Sequence, residues 1–257
     1  MKIRLLVAAA NIGFMFLLVG GITAEAAEIK VLSAAAMRPV LEDLGPKFER
    51  ATGHKLAITF GNLGAVVKRV QGGEAADVVI IPPQGIDGFV KDGKAAAGNV
   101  TALARTGFSV AVRKGAPKPD ISSPEAFKRT LLAAKSITYA DPAETAAGVH
   151  IAKVLDRLGI ANEMKPKTLI PKSGSVGGLI ANGEAEIAVH HLIQLIPVVG
   201  IEIVGPLPGD LQSFDVFAAA IMAGARDASA SKALVDFLRT PEAATVIKAK
   251  GMEPATP

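Results

Sequence analysis

From Glu28 onward the chain repeats one unit: a short apolar run, a loop of small residues, then a stretch whose apolar residues recur at helical spacing. The first copy is a strand over residues 28–32, a loop over 33–36, and a helix over Arg38–Thr52, in which Val40, Leu41, Leu44, Phe48 and Ala51 share one face. Pro39 lies in the first helical turn, where its missing N–H costs nothing, and Gly53 stops the helix. Residues 55–60 predict a second strand. Gly61-Asn62-Leu63-Gly64 opens a helix to about Gln71, and Val78–Ile81 is a fully apolar third strand punctuated by Pro82-Pro83.

A strand at 107–112 and a turn-rich segment at 114–119 precede a second run of the same unit. It predicts helices over 124–134, 146–158 and 175–182, and strands over 136–140, 167–170 and 186–190. Phe214–Met222 reads as a further strand, and helices over 229–239 and 241–250 close the chain. Strands alternating with helices predict an α/β fold with mostly parallel sheets. Two such blocks flank residues 105–113. If the closing strand returns to the first block, the result is two lobes, each a mostly parallel sheet flanked by helices, joined by two crossing strands that act as a hinge beside a cleft. The lobes are then 27–106 with 218–257, and 107–217.

Residues 1–26 read as an address. Lys2 and Arg4 precede an uncharged, mostly apolar run over 5–21, and Thr23-Ala24-Glu25-Ala26 ends in small residues. That is the pattern of a secretory signal peptide cleaved after Ala26, which implies export to the periplasm. The alternative is an uncleaved anchor helix, since the run almost suffices to span a bilayer. The absence of cysteine excludes disulfides, a thiol nucleophile, iron–sulfur clusters and Cys-based zinc sites. Lys and Arg total 28 against 24 Asp and Glu, but they are scattered, and only 4% of residues are aromatic. Neither a basic track nor a stacking platform for nucleic acid is present.

Four strand-to-helix junctions are built from small or polar residues: 33–37, 61–64, 141–148 and 173–177. In parallel sheets ligands sit beyond the C-terminal strand ends, where helix starts present unpaired N–H groups. Each such start contributes about 0.3–2 kcal/mol toward a nearby anion. Single junctions of this kind also serve close packing alone. Arg38 stands at a helix start, where the macrodipole disfavours a cation; a bidentate carboxylate contact accounts for it, and so does a solvated side chain. Arg105 precedes the crossing strand and is a weaker candidate on the hinge side. His190 and His191 end a strand and face opposite sides, so they do not readily chelate one metal. One faces the helices; the other, if it faces the cleft, is a hydrogen-bond donor or proton carrier. His54 and His150 stand apart from other ligating residues, so no metal site and no cofactor are expected. Ser173-Gly174-Ser175-Val176-Gly177-Gly178 matches no nucleotide-loop or nucleophile-elbow spacing. Asp77 and Asp141 read as loop braces.

The order of these loops resembles the molybdate-type periplasmic solute-binding proteins of ABC transporters. The resemblance is carried by Val31-Leu32-Ser33-Ala34-Ala35-Ala36-Met37, residues 60–73 with Ala76-Asp77, Asp141-Pro142 with Ala147-Gly148, residues 155–159, and Phe237-Leu238 with Pro241, Ala243 and Ala244. It implies a two-lobed type II binding-protein fold that closes over an anion. The family's first-loop serine falls at Ala36, its second-loop serine at Leu63, its main-chain contacts near Ala147 and Ser175, and its site tyrosine at His191. Three hydroxyl donors are thereby absent, which disfavours molybdate. The expected ligand contacts are Ala36, Met37, Arg38, Asn62, Leu63, Gly64, Ala147, Ser175, Val176 and His191, around an organic di- or tricarboxylate. The expected partners are that anion and an inner-membrane ABC permease, with the chain a monomer. The sequence is also similar to periplasmic aconitate isomerases, cofactor-free enzymes of the same fold. In that alternative Arg38 clamps a carboxylate, and His191 or His190 moves the proton. A sensor partner for a membrane receptor is a third reading.

Overall fold

The computed structural model describes residues 26–171 and 175–255. The signal-peptide reading therefore lies outside the described residues, as do Ser173 and Gly174 of the fourth junction and Lys172 before it.

The first block forms β1 (Glu28–Ala34), α1 (Arg38–Thr52), β2 (Lys55–Gly61), α2 (Leu63–Gln71), β3 (Val78–Ile81) and α3 (Pro83–Lys91). β2, β1 and β3 run parallel, with Val31 between Ile58 and Val78. The long β4 (Ala95–Arg113) then leaves the first block. The second block is α4 (Pro124–Ala133), β5 (Ile137–Thr138), α5 (Ala146–Arg157), α6 (Ala161–Met164), β6 (Thr168–Leu169), α7 (Val176–Ala181), β7 (Ile187–His191), α8 (Leu192–Leu195) and β8 (Ile201–Pro206). Here β6, β5 and β7 are parallel, and β4 lies antiparallel between β7 and β8. β9 (Phe214–Met222), α9 (Ala228–Phe237), α10 (Pro241–Ala249) and β10 (Glu253–Pro254) complete the chain.

The closing strand does return: β9 pairs antiparallel with β3 and with β4, as far as Phe214 opposite Gly107. One residue later β4 changes partners, with Phe108 opposite His191 of β7. Two strands thus cross between the lobes, and the switch lies at Gly107–Phe108.

Each lobe has its own core. Phe48, Leu44, Ile80, Phe89 and the apolar residues of β9, α9 and α10 fill the first. The second sheet is covered on both faces, as its alternation requires. Phe108, Val110, Ile187 and Val189 face α4 and α5; Ala111 and Ala188 face α7 and α8.

Several elements go beyond the sequence expectation, α6, α8 and β10 among them. α3 is a full helix, because Pro82 is its N-cap and Pro83 its first residue, a helix start and not only punctuation. β4 extends twelve residues before the expected strand at 107, and β8 supplies its second neighbour. No helix of the described residues is long and apolar enough to cross a membrane.

Candidate functional site

β1 and β2 end side by side, with Ala34 opposite Gly61, so the first two junctions are neighbours. Asn62 caps α2 by accepting from the Ala65 N–H at 2.8 Å. The entry to α1 is different. A short 3-10 turn, Ala35–Met37, leads into it, and neither Ala34 nor Met37 supplies a side-chain cap. The first N–H groups of that turn have no helical partner. Ala36 and Asn62 stand at these starts with accessible surface. The Arg38 guanidinium lies 4.2 Å from the centre of the Phe60 ring at the end of β2, and its Nη1 is 3.4 Å from Glu42. Its side chain is 51% exposed. The Met37 side chain is core. Leu63 packs toward α3, where a side chain at Gly85 would collide with its Cδ1. At these two positions only the main chain is free to meet a ligand, and Gly64 is open.

In the second lobe the strands end around a pocket of about 250 Å³, lined by Asp141, Glu144, Thr145, Ser175, His190 and Gln194 among others. Asp141 builds its rim: its Oδ1 accepts from the Ala143 N–H at 2.8 Å, and its carbonyl accepts from the Thr145 N–H and hydroxyl, each at 2.9 Å. Thr145 in turn caps α5 at the Gly148 N–H, 3.0 Å away. Gly148 lets that helix start touch the preceding loop, since a Cβ there would lie 2.3 Å from the Ala140 carbonyl oxygen. Ala147 is half-buried against the second core. Ser175 caps α7 at the Gly178 N–H, 3.1 Å away, and Val176 is buried.

The two histidines face opposite sides, as the pleat demands. His191 is 7% exposed; its ring is 4.1 Å from that of Phe108, which also stacks with His150 at 4.6 Å. Its Nε2 lies 3.3 Å from Oδ2 of Asp215 on β9, yet it is buried with no hydrogen-bond partner among the described residues. The approach is close but not aligned. His190 lines the pocket, and its Nδ1 accepts from the His191 N–H at 2.7 Å. That acceptor role puts the ring proton of the neutral imidazole on Nε2. Burial lowers both rings to a pKa of about 4, helped by His191 beside His190 and by His150 beside His191. Burial raises the carboxyl of Asp215, opposed by His150 and His190.

Arg105 belongs elsewhere: it stacks on Phe214 at 4.3 Å and donates to Glu253 at 2.7 Å, on the C-terminal side of the hinge. Thr145, Glu144, Gln194 and Asp215 are not among the expected contacts. Thr145 precedes a helix as a capping residue should, and Asp215 is an acid inside an apolar strand, so both left a signal. Among the described residues no group of three or more His, Asp or Glu side chains is placed to hold a metal.

Comparison with known proteins fits this architecture. Aconitate isomerase of a Pseudomonas species is 33% identical over 232 residues, covering 88% of this chain and 87% of that protein. The molybdate-binding protein ModA of Escherichia coli is 24% identical over 246 residues, covering 94% and 95%. Among solved structures, the substrate-binding domain of a putative molybdenum ABC transporter from Clostridium difficile superposes with a TM-score of 0.80 at 14% identity, over 90% of this chain and all of that one. The family model for bacterial extracellular solute-binding proteins matches residues 29–253, and the chain belongs to that family.

Proposed function

We propose that the chain is an exported periplasmic receptor that closes two lobes, 27–106 with 218–257 and 107–217, over a small organic carboxylate and delivers it to an ABC permease. The observation that carries the anion class is the uncapped start of α1 beside Arg38. The two first-lobe loops offer no free hydroxyl there. Ala36 and Leu63 have none, and the buried Ser33 donates its own to the Ala34 carbonyl. A tetrahedral oxyanion would be left short of donors. A carboxylate needs only two donors in one plane, which main-chain N–H groups and the Arg38 fork supply. Asn62, Gly64, Ala147 and Ser175 complete the proposed contacts, and residues 1–26 are the proposed export signal.

The identity to an aconitate isomerase favours a second reading, a periplasmic isomerase on the same fold. Interconverting trans- and cis-aconitate moves an allylic proton and needs a base. His190 has its Nδ1 lone pair engaged by the His191 N–H, so His191, beside Asp215, is the base in that reading.

Proton NMR of trans-aconitate with purified residues 27–257 separates the two. Appearance of cis-aconitate makes the protein an isomerase. Ligand broadening without product supports the receptor. Tight, selective molybdate binding in a parallel anion panel overturns the carboxylate reading.

A further inference from the structure

We infer that the ligand is a hydroxycarboxylate whose hydroxyl, and not a further carboxylate, enters the pocket of the second lobe. This rests on the carboxylate reading above and adds the substrate class to it. The argument is the unused hydrogen-bonding capacity of the pocket wall. His190 presents Nε2–H, because its Nδ1 is held by the His191 N–H at 2.7 Å. Ser175 accepts from the Gly178 N–H, and its O–H has no acceptor among the described residues. Thr145 is spent in both directions, donating to the Asp141 carbonyl and accepting from Gly148. On the accepting side, Asp141 uses Oδ1 for Ala143, which leaves Oδ2 without a partner among the described residues, and Glu144 also lines the space. The wall therefore carries both N–H/O–H donors and carboxylate acceptors within about 250 Å³.

A ligand carboxylate accepts only. It would satisfy His190 and Ser175 while facing Asp141 and Glu144 at like charge. A ligand ammonium donates only, and would leave the His190 N–H and Ser175 O–H without acceptors. A hydroxyl does both: it accepts from His190 Nε2–H and donates to Asp141. The carboxylates of the ligand then stay on the side of α1 and Arg38, where the helix start and the guanidinium favour them.

Titration calorimetry of residues 27–257 with matched pairs tests this: D- and L-malate against succinate, and citrate against tricarballylate, with aspartate as the ammonium analogue. The hydroxyl-bearing member of at least one pair is expected to bind at least about tenfold tighter than its deoxy partner, as the net gain of one hydrogen bond implies. Asp141→Asn keeps the turn oxygen but replaces the free acceptor by a donor. It is expected to bring the paired ratio close to one. His190→Phe should lower the ratio in the same way. Equal affinities within every pair, with carboxylates still bound, overturn the hydroxyl assignment and leave the receptor standing. Tighter aspartate than malate overturns it in favour of an ammonium. If no carboxylate binds, the receptor reading falls together with it.

Discussion

Asp77 is 3% exposed and joins segments far apart in the chain: Oδ2 accepts from the Lys30 N–H and Oδ1 from the Arg226 N–H, each at 2.7 Å, with the Arg226 guanidinium at 3.3 Å. Burial alone would raise its pKa, but those donors together outweigh it and hold the carboxyl below its usual range. Replacing Asp77 by Ala leaves two main-chain N–H groups without their acceptor, and should cost about 2–4 kcal/mol in urea unfolding. His191 acts on stability in the same pH direction for a different reason. Its folded pKa of about 4 lies below the 6.5 of an exposed ring, so between these values the unfolded chain binds the extra proton. Stability is therefore full above pH 6.5 and is lost as the pH falls toward 4, by about 3 kcal/mol from this ring. His191→Phe, which keeps the stack on Phe108, should flatten that part of a thermal-melt profile. An unchanged profile would assign the acid sensitivity to other groups.

At the scale of elements, the junctions decide whether a ligand site exists. α5 begins only because Gly148 lets its first turn lie on the preceding loop, and the atoms that a Cβ would strike are backbone: the Ala140 carbonyl oxygen at 2.3 Å and the Asp141 carbonyl carbon at 2.5 Å. Backbone cannot swing aside as a side chain does. Gly148→Ala should therefore displace the Asp141–Thr145 rim and abolish ligand binding, with a clear drop in Tm; retained affinity would show that the rim is not part of the site. Such junctions were legible in the sequence because strand and helix periods switch there, and the capping residues Asn62, Thr145 and Ser175 mark the switch. The first half of β4 was not, since residues 95–106 are mainly Ala, Gly, Asn and Thr and form a strand through pairing with β9. The site shared that limit. Which side His190 and His191 face depends on β7 pairing with β4, and the approach of Asp215 to His191 depends on β9 returning across the hinge. Neither long-range pairing is written in the local pattern. The hydroxyl-poor loops at Ala36 and Leu63 were legible directly, because they are a matter of residue identity alone.

In the whole molecule the lobes share more than the two crossing strands. α8 follows β7 of the second sheet, yet Ile193 within it belongs to the first core. The turn after α10 closes on the same helix. Gly251 has φ +80°, and a Cβ there would lie 2.5 Å from Ile196 Cδ1, 3.0 Å from Leu192 Cγ and 3.3 Å from the Ile193 nitrogen. α8 is thus a third tie between the lobes, on the side of the hinge where Arg105 meets Glu253. Gly251→Ala places a methyl group in that tie and strains a left-handed backbone position, at a cost of about 1 kcal/mol for the backbone alone. Both hydrophobic cores keep their own contacts, so the variant should still fold, with Tm lowered by a few degrees. What should change is the angle between lobes. Small-angle X-ray scattering of the free protein should give a radius of gyration different from wild type, and carboxylate affinity should fall because closure starts from another geometry. Gly224→Ala is the control, since a Cβ at that position meets nothing within 4 Å and should move neither quantity. If the radius of gyration of Gly251→Ala matches wild type while its affinity falls, α8 does not set the lobe angle, and the two strands that change partners near Gly107 carry the hinge alone.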